Sequence, residues 1–307
     1  MLKTKVYLLI VIIVGLVLLL AWHARASTAS ADGAGWQDDD DSGSSMSLHE
    51  QETIRKTFSL PAAHKTLEVD NVFGSIVVTG GAGDQVQLVV EKTLRAESAE
   101  RMAAAKKEVK LDITEQPDLL KLYVDGPFRC HCDDGCDGWH GDRGYSVKMD
   151  FTLQVPQNVD IKLRTVNSGR VQVKDVTGNF SVRNVNGGIE MVNVAGSGQA
   201  RTVNGPVKVS FRENPRENSE FGTINGNVEL SFVRGLAADF RFKTFNGNIY
   251  SDFEMTSLPP RPVQAEQHNG HFRYRSDRFT GGRVGSGGPE IKADNLNGDI
   301  RVLERHE

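Results

Sequence analysis

Two neighbouring stretches of the chain share one phrase: "RTVNGPVKVSF" at residues 201–211 and "GTINGNVELSF" at residues 222–232. Each has Thr, one apolar residue and Asn-Gly, followed by alternating apolar and polar residues. Alternation with a period of two predicts a β-strand with one buried face. Asn and Gly tolerate positive φ better than other residues, so the pair predicts a tight turn before that strand. The phrase therefore predicts a turn-and-strand unit.

This repeat unit recurs through the second half of the chain, and repetition of this kind decides the fold. Its anchors are Asn167, Asn186, Asn204, Asn225, Asn246, Asn269 and Asn297. The glycines that directly follow the later anchors are Gly187, Gly205, Gly226, Gly247, Gly270 and Gly298; at the first anchor Ser168 intervenes. We interpret these residues as a structural turn ladder.

The spacing favours an all-β fold, a β-solenoid built from Asn-Gly turns, over a series of hairpins. In a solenoid each turn stacks on its equivalent, and asparagine side chains in register hydrogen-bond along the column. We expect Val203, Ile224 and Phe245 to line one interior column. A second column is expected to contain Val207, Val228 and Ile249.

One helix interrupts the strands of the first half. The stretch "RAESAERMAAAKKEVK" at residues 95–110 is rich in Ala, Glu and Lys, which are strong helix formers. It predicts a single inserted helix from about Ser98 to Lys107.

The N-terminus carries a targeting signal. Lys3 and Lys5 precede an uncharged apolar run at residues 6–22, and small residues follow it. This N-terminal hydrophobic helix is long for a signal-peptide core and short for a spanning helix. We therefore divide the chain into a signal peptide or membrane anchor (1–26), a disordered tether (27–51) and a β-strand-repeat domain (52–307). Either reading of 1–26 places the repeat domain outside the cytoplasm.

A family resemblance rests on "RTVNG", "GTINGNVEL", "KTFNGNIYSDF" (243–253) and the ending "GSGGPEIKADNLNGDIRV" (285–302). The chain resembles the bacterial β-strand-repeat proteins of a domain-of-unknown-function family whose members are labelled as candidate adhesins. The resemblance covers about residues 52–307. It implies a β-repeat fold, display on the cell surface and adhesion, and it supplies no catalytic residues to carry over.

The residues expected to face outward do not suggest an enzyme. These outward-facing residues contain no recurring pair of carboxylates, which acid–base catalysis would need. They are Gln172, Lys174, Glu190, Lys208, Glu229 and Ser231. The net charge of −4 does not suggest nucleic acid as a partner.

We expect a non-catalytic, exported cell-envelope protein, adhesin-like, that binds an envelope protein or polysaccharide and meets the membrane through its N-terminus. The alternative is a regulatory envelope-stress component acting on a membrane partner.

A cysteine-rich loop, "FRCHCDDGCDGWHGD" at residues 128–142, departs from the repeat. One hypothesis is a zinc site with Cys130, Cys132, Cys136 and His140 as ligands. The other, which we prefer, is one disulfide with a spare thiol, as expected outside the cytoplasm. Either would allow a metal- or redox-responsive function. We therefore expect no cofactor unless the loop binds zinc.

Overall fold

The computed structural model of the protein describes residues 46–59, 66–129, 143–261, 264–269, 271–275 and 279–305. The first-half strands are β1 (Leu48–Ser59), β2 (Thr66–Asp70), β3 (Ile76–Gly81), β4 (Gln85–Ala96), β5 (Lys110–Gln116), β6 (Leu119–Asp125) and β7 (Tyr145–Pro156). Helix α1 spans Ala99–Glu108.

The repeat region follows. Its strands are β8 (Asp160–Arg164), β9 (Val171–Lys174), β10 (Phe180–Arg183), β11 (Ile189–Val194), β12 (Gly198–Arg201), β13 (Val207–Phe211), β14 (Ser219–Gly222), β15 (Val228–Phe232), β16 (Ala238–Lys243) and β17 (Ile249–Ser251). The C-terminal strands are β18 (Thr256–Leu258), β19 (Gln264–His268), β20 (His271–Arg275), β21 (Thr280–Val284), β22 (Glu290–Asp294) and β23 (Ile300–Glu304).

Two large mixed sheets contain nearly all of these strands. Sheet A has the order β1-β4-β7-β3-β9-β11-β13-β15-β23-β17, and sheet B has the order β18-β21-β16-β22-β14-β12-β10-β8-β2-β6-β5. The hairpin β19–β20 pairs by itself. The predictions of an all-β fold and of one inserted helix are confirmed among the described residues. Both sheets are open, and the predicted N-terminal hydrophobic helix lies outside the described residues.

From β8 to β17 the chain alternates between the two sheets. Each repeat unit contributes one strand to sheet B, then the Asn-containing turn, then one strand to sheet A. Equivalent strands pair in parallel and in register, so that Val207 lies beside Val228. Both valines are fully buried, as predicted. Burial of each such side chain stabilises the fold by about 1.5–3 kcal/mol.

Aromatic rings fill the space between the sheets in the later units. Phe211 and Phe232 stack with their ring centroids 5.1 Å apart, and Phe221 meets Phe211 edge-on at 6.0 Å. These rings are fully buried. The core of the repeat region is therefore continuous from one unit to the next.

The expected stacking of units in chain order is wrong at the C-terminal end. Strand β22 lies between β14 and β16, and β23 lies between β15 and β17. The last unit is therefore inserted between two units that are consecutive in the chain. This is possible because "NLNGDI" at residues 295–300 repeats the shared phrase and can pair on both sides.

The predicted interior column of Val203, Ile224 and Phe245 is also wrong. Ile224 is 44% exposed and Phe245 is 75% exposed. The residue one position earlier is buried instead, because its hydroxyl group binds the preceding turn: Thr223 Oγ1 donates to the Gly205 carbonyl at 2.9 Å. In the second column Ile249 is 37% exposed, since β17 is the last strand of sheet A.

Helix α1 begins and ends where local chemistry dictates. The Ser98 hydroxyl accepts a hydrogen bond from the Arg101 N–H at 3.2 Å and caps the first turn. Met102 is buried in the core. At the other end the buried ammonium group of Lys92 donates to the Val109 carbonyl at 3.0 Å, where a cation suits the helix dipole. No helix among the described residues is long and apolar enough to span a membrane.

The turn glycines can be tested at Gly226. Its φ is +153°, and a Cβ at this position would overlap the Gly205 carbonyl. We expect Gly226→Val to lower the free energy of unfolding by about 2–3 kcal/mol, because strain and overlap add. Glu229→Val, on the outer face of the next strand, should change it by only about 0.5 kcal/mol. Equal shifts in urea midpoint would show that this register is incorrect.

Tyr145 predicts a loss of stability in alkali. Its hydroxyl donates a hydrogen bond to Glu108. Burial, the main cause, and the Glu108 carboxylate, the second, raise the pKa of Tyr145 to about 12. The unfolded tyrosine ionises at about 10, so this contribution is complete below pH 10 and is lost as pH rises towards 12. Wild type should therefore lose stability relative to Tyr145→Phe in urea titrations between about pH 9 and pH 11.5. A difference that stays constant with pH would contradict the assignment.

Candidate functional site

The outer face of sheet B carries a row of arginines. Because β8, β10 and β12 pair in parallel and in register, Arg164 lies beside Arg183, and Arg183 beside Arg201. Neighbouring strands are about 4.8 Å apart, so the three residues are evenly spaced across the strands. We call these three residues the arginine row.

The three guanidinium groups differ in how far they are neutralised. Arg201 pairs with Glu220 and, at 2.9 Å, with Asp294. Among the described residues, Arg183 donates only to the neutral Gln199 side chain, at 3.3 Å. The Arg164 guanidinium has no hydrogen-bond or ion-pair partner among the residues that the structure describes. Two adjacent, exposed cations are thus left available to a ligand.

The acidic residue beside Arg164 in the strand register is already paired with another arginine. Asp70 lies beside Arg164 in the strand register, but its carboxylate pairs with Arg129 at 2.9 Å. Arg129 also donates to the Asp70 carbonyl and stacks over the Tyr123 ring, 4.4 Å from its centroid. Because Arg129 is held by all these contacts, Asp70 does not neutralise the arginine row.

A second row runs parallel to the first, two residues earlier in each strand. It contains Lys162, Ser181 and Gln199. Glu68, on β2, lies between Lys162 at 2.8 Å and Lys121 at 3.2 Å. Burial raises the pKa of Glu68, but the two ammonium groups outweigh it and lower that pKa below its usual value. Because one carboxylate pairs with two ammonium groups, this cluster adds net positive charge to the outer face of sheet B.

A polar groove of about 320 Å³ adjoins the second row where β10, β12, β14 and β22 begin. It is lined by Phe180, Gly198, Gln199, Asn218, Ser219, Glu220, Glu290 and Lys292. Asn218 accepts a hydrogen bond from the Glu290 N–H at 2.8 Å, which fixes two of its loops together. Gln199 belongs to both the second row and the groove, so the two surfaces are continuous.

The outer face of sheet A is different. Glu190, Lys208, Glu229 and Arg301 are neighbours across four strands, and their charges alternate in sign. Within this row each charge lies beside an opposite charge, so the four charges cancel. The face of sheet B is therefore the better candidate site.

The asparagine side chains form a hydrogen-bonded ladder along one corner of the repeat region. Each amide donates to the preceding Oδ1: Asn186 to Asn167 at 2.6 Å, Asn204 to Asn186 at 2.8 Å, Asn225 to Asn204 at 2.8 Å, Asn297 to Asn225 at 2.7 Å, and Asn246 to Asn297 at 2.8 Å. Asn269 instead lies at the turn of hairpin β19–β20, with φ of +50°. The ladder holds units in register.

The other sequence-predicted site was the cysteine-rich loop. Cys130, Cys132, Cys136 and His140 lie outside the described residues, so the zinc and disulfide hypotheses stay predictions. Within the described ranges, no three His, Cys, Asp or Glu side chains are grouped as metal ligands would be.

Sequence reasoning missed the arginine row, although the sequence contains a signal for it. Each of the three arginines stands three residues before an anchor asparagine, in "RTVN", "RNVN" and "RTVN". Comparison of equivalent positions across units would have found it.

Comparisons with known proteins add little. No protein-family model matches the chain, and no curated protein does. A candidate cell adhesion protein from Clostridium sporogenes is 10% identical with a TM-score of 0.39, over 83% of this chain and 100% of that one. A candidate adhesin from Bacteroides fragilis is 12% identical with a TM-score of 0.39, over 83% and 97%. These likenesses are too low to indicate what this chain does, so its function is inferred from the described side chains.

The ladder can be tested by comparing an internal position with the terminal one. Asn297→Ala removes two side-chain hydrogen bonds, whereas Asn246→Ala removes one. At about 1 kcal/mol for each bond, the internal variant should lose about 2 kcal/mol of stability and the terminal one about 1 kcal/mol. Urea unfolding would measure both. A terminal variant as unstable as the internal one would mean that the ladder is not additive.

Proposed function

We propose that this protein is a non-catalytic, exported module of the cell envelope that acts like an adhesin, binding its partner through the outer face of sheet B. The observation that carries the proposal is the arginine row. Arg164 and Arg183 are adjacent and exposed, and no carboxylate of the described residues pairs with either. Exposed cations that the fold does not neutralise favour an external partner of opposite charge.

A repeated architecture suits such a function. We propose that the units form a β-solenoid-like stack, in which the chain returns to each sheet once per unit. Such a stack presents equivalent side chains at regular intervals on a flat, rigid face. An extended partner can then contact several units at once.

Export is part of the proposal. Lys3 and Lys5 before an apolar run are typical of a segment that directs the following residues across a membrane. The repeat domain would then lie in the periplasm or at the cell surface, where the N-terminal segment can anchor it. Envelope polysaccharides and proteins are the partners present there.

A binding function also agrees with the titratable groups of the described residues. Three of those with a shifted pKa belong to structural pairs: Tyr145 with Glu108, Glu68 with two lysines, and Asp239 with Arg283 at 2.7 Å. Burial lowers the pKa of Lys92, whose ammonium group donates to the Val109 carbonyl at the end of α1. Catalytic groups more often converge on a cleft. None of these groups lines the polar groove.

Binding to isolated envelope material tests the proposal. The full chain, purified in mild detergent, should bind saturably to the polysaccharide or the protein fraction of the envelope. Gly226→Val, which disturbs the repeat stack, should bind less. A well-folded wild-type chain that binds neither fraction would exclude a binding function.

A further inference from the structure

We infer that the arginine row and the second row form a binding site for a linear acidic polysaccharide, one with a carboxylate or sulfate on successive sugars. The inference deepens the proposed binding function and rests on it. The chain of sugars would lie across the strands, parallel to the arginine row.

Charge is the first reason. Arg164 and Arg183 present two guanidinium groups on adjacent strands, and Asp70, the acidic residue beside Arg164 in the strand register, is occupied by Arg129. A guanidinium binds a carboxylate or sulfate through two parallel hydrogen bonds. The geometry therefore accommodates one anionic group on each of two neighbouring strands.

Spacing is the second reason. The arginine row repeats at the strand separation of about 4.8 Å. One sugar ring in an extended chain covers a comparable distance, so successive acidic sugars can remain in step with successive strands. The parallel, in-register pairing of β8, β10 and β12 keeps this interval constant.

Neutral polar groups beside the cations are the third reason. Ser181 and Gln199 lie between the arginine row and the polar groove. A hydroxyl and an amide can exchange hydrogen bonds with sugar hydroxyl groups. The adjoining groove has room for a substituent or a branch.

Acidic side chains argue against a more densely charged polymer. At one end of the row Asp70 is already paired with Arg129, and at the other end Glu220 and Asp294 give two carboxylates to the one guanidinium of Arg201. A nucleic acid or an anionic membrane extending past the row would meet these carboxylates. An acidic polysaccharide carries one charge per sugar and can be confined to the short cationic stretch between them.

The experiment measures binding of the full chain, in mild detergent, to polygalacturonate, a linear polymer of acidic sugars. The test variant is Arg164→Gln with Arg183→Gln. We expect its affinity to fall by roughly tenfold or more, because two charge-assisted contacts are lost. The affinity of the variant should also decrease less steeply with salt than that of wild type.

A matched control separates the site from net charge. The Arg216 and Arg234 side chains are 89% and 88% exposed, and both residues lie in loops outside the three strands of the arginine row. Arg216→Gln with Arg234→Gln removes the same charge and should bind polygalacturonate like wild type. Arg164→Lys with Arg183→Lys keeps the charge but loses the paired hydrogen bonds, so its affinity should lie between those of wild type and the glutamine variant.

Oligosaccharide length gives a second measurement. Affinity should rise up to about two acidic sugars, the number that matches Arg164 and Arg183 on two adjacent strands, and then level off. Wild type should not bind a neutral glucan, and it should bind single-stranded DNA or anionic lipid vesicles more weakly than polygalacturonate.

Several outcomes would overturn the inference. The first is an equal loss of polygalacturonate affinity in the Arg216→Gln, Arg234→Gln control. The second is unchanged polygalacturonate affinity in the Arg164→Gln, Arg183→Gln variant. The third is tighter binding of wild type to single-stranded DNA or anionic vesicles than to polygalacturonate. If an envelope fraction binds wild type and the glutamine variant equally, a binding function stands, but its assignment to the arginine row and the polysaccharide site are both wrong. If wild type binds no envelope fraction and no polygalacturonate, both are wrong.

Discussion

The close approach of neighbouring Asn-Gly turns is the constraint on which the rest of the structure depends. At Gly226 the backbone lies so near the Gly205 carbonyl that no side chain can be placed between them. The same contact recurs at Gly205 against Gly187. Because each turn is locked on its neighbour, the strands on both sides have one register. That register places valines inside and rows of equivalent side chains on the outer faces.

The asparagine ladder reinforces this constraint but contributes only modest stability. Its amides are exposed at the corner, so each hydrogen bond contributes only about 0.5–1.5 kcal/mol. These hydrogen bonds mainly specify the strand register. A strand displaced by one residue would lose its ladder hydrogen bond and would also expose its apolar face. The inserted C-terminal unit obeys the same rule, with Asn297 hydrogen-bonded to both Asn225 and Asn246.

Much of the fold could be predicted from local sequence. Alternation identified Val207 and Val228 as interior residues, and composition located the helix to within one residue. The residue before each anchor was misplaced because apolarity alone suggested burial. The buried position belongs to Thr223 and its equivalents, whose side-chain hydroxyl or amide groups bind the preceding turn. The order of the last unit could not be predicted, since its phrase pairs equally well with several neighbours.

The candidate site depended on comparing units rather than reading each alone. A lone exposed arginine is ordinary, whereas arginines on adjacent, registered strands form a surface with a definite interval.

The position of the C-terminal unit also sets the length of that surface. If units stacked in chain order, Lys243 would occupy the position beyond Gly222 and extend the row of cations. Instead β22 is inserted there, and Asp294 takes that position with Lys243 one strand farther away. Gly222 has no side chain, so Arg201 reaches across it to Asp294 at 2.9 Å. The inserted unit therefore adds a second carboxylate to Arg201, which already pairs with Glu220, and ends the row. Among the described residues, Arg164 and Arg183 remain as the cations of the row without an acidic partner. An insertion that local sequence does not predict thus determines how long a stretch of acidic polymer the face can hold.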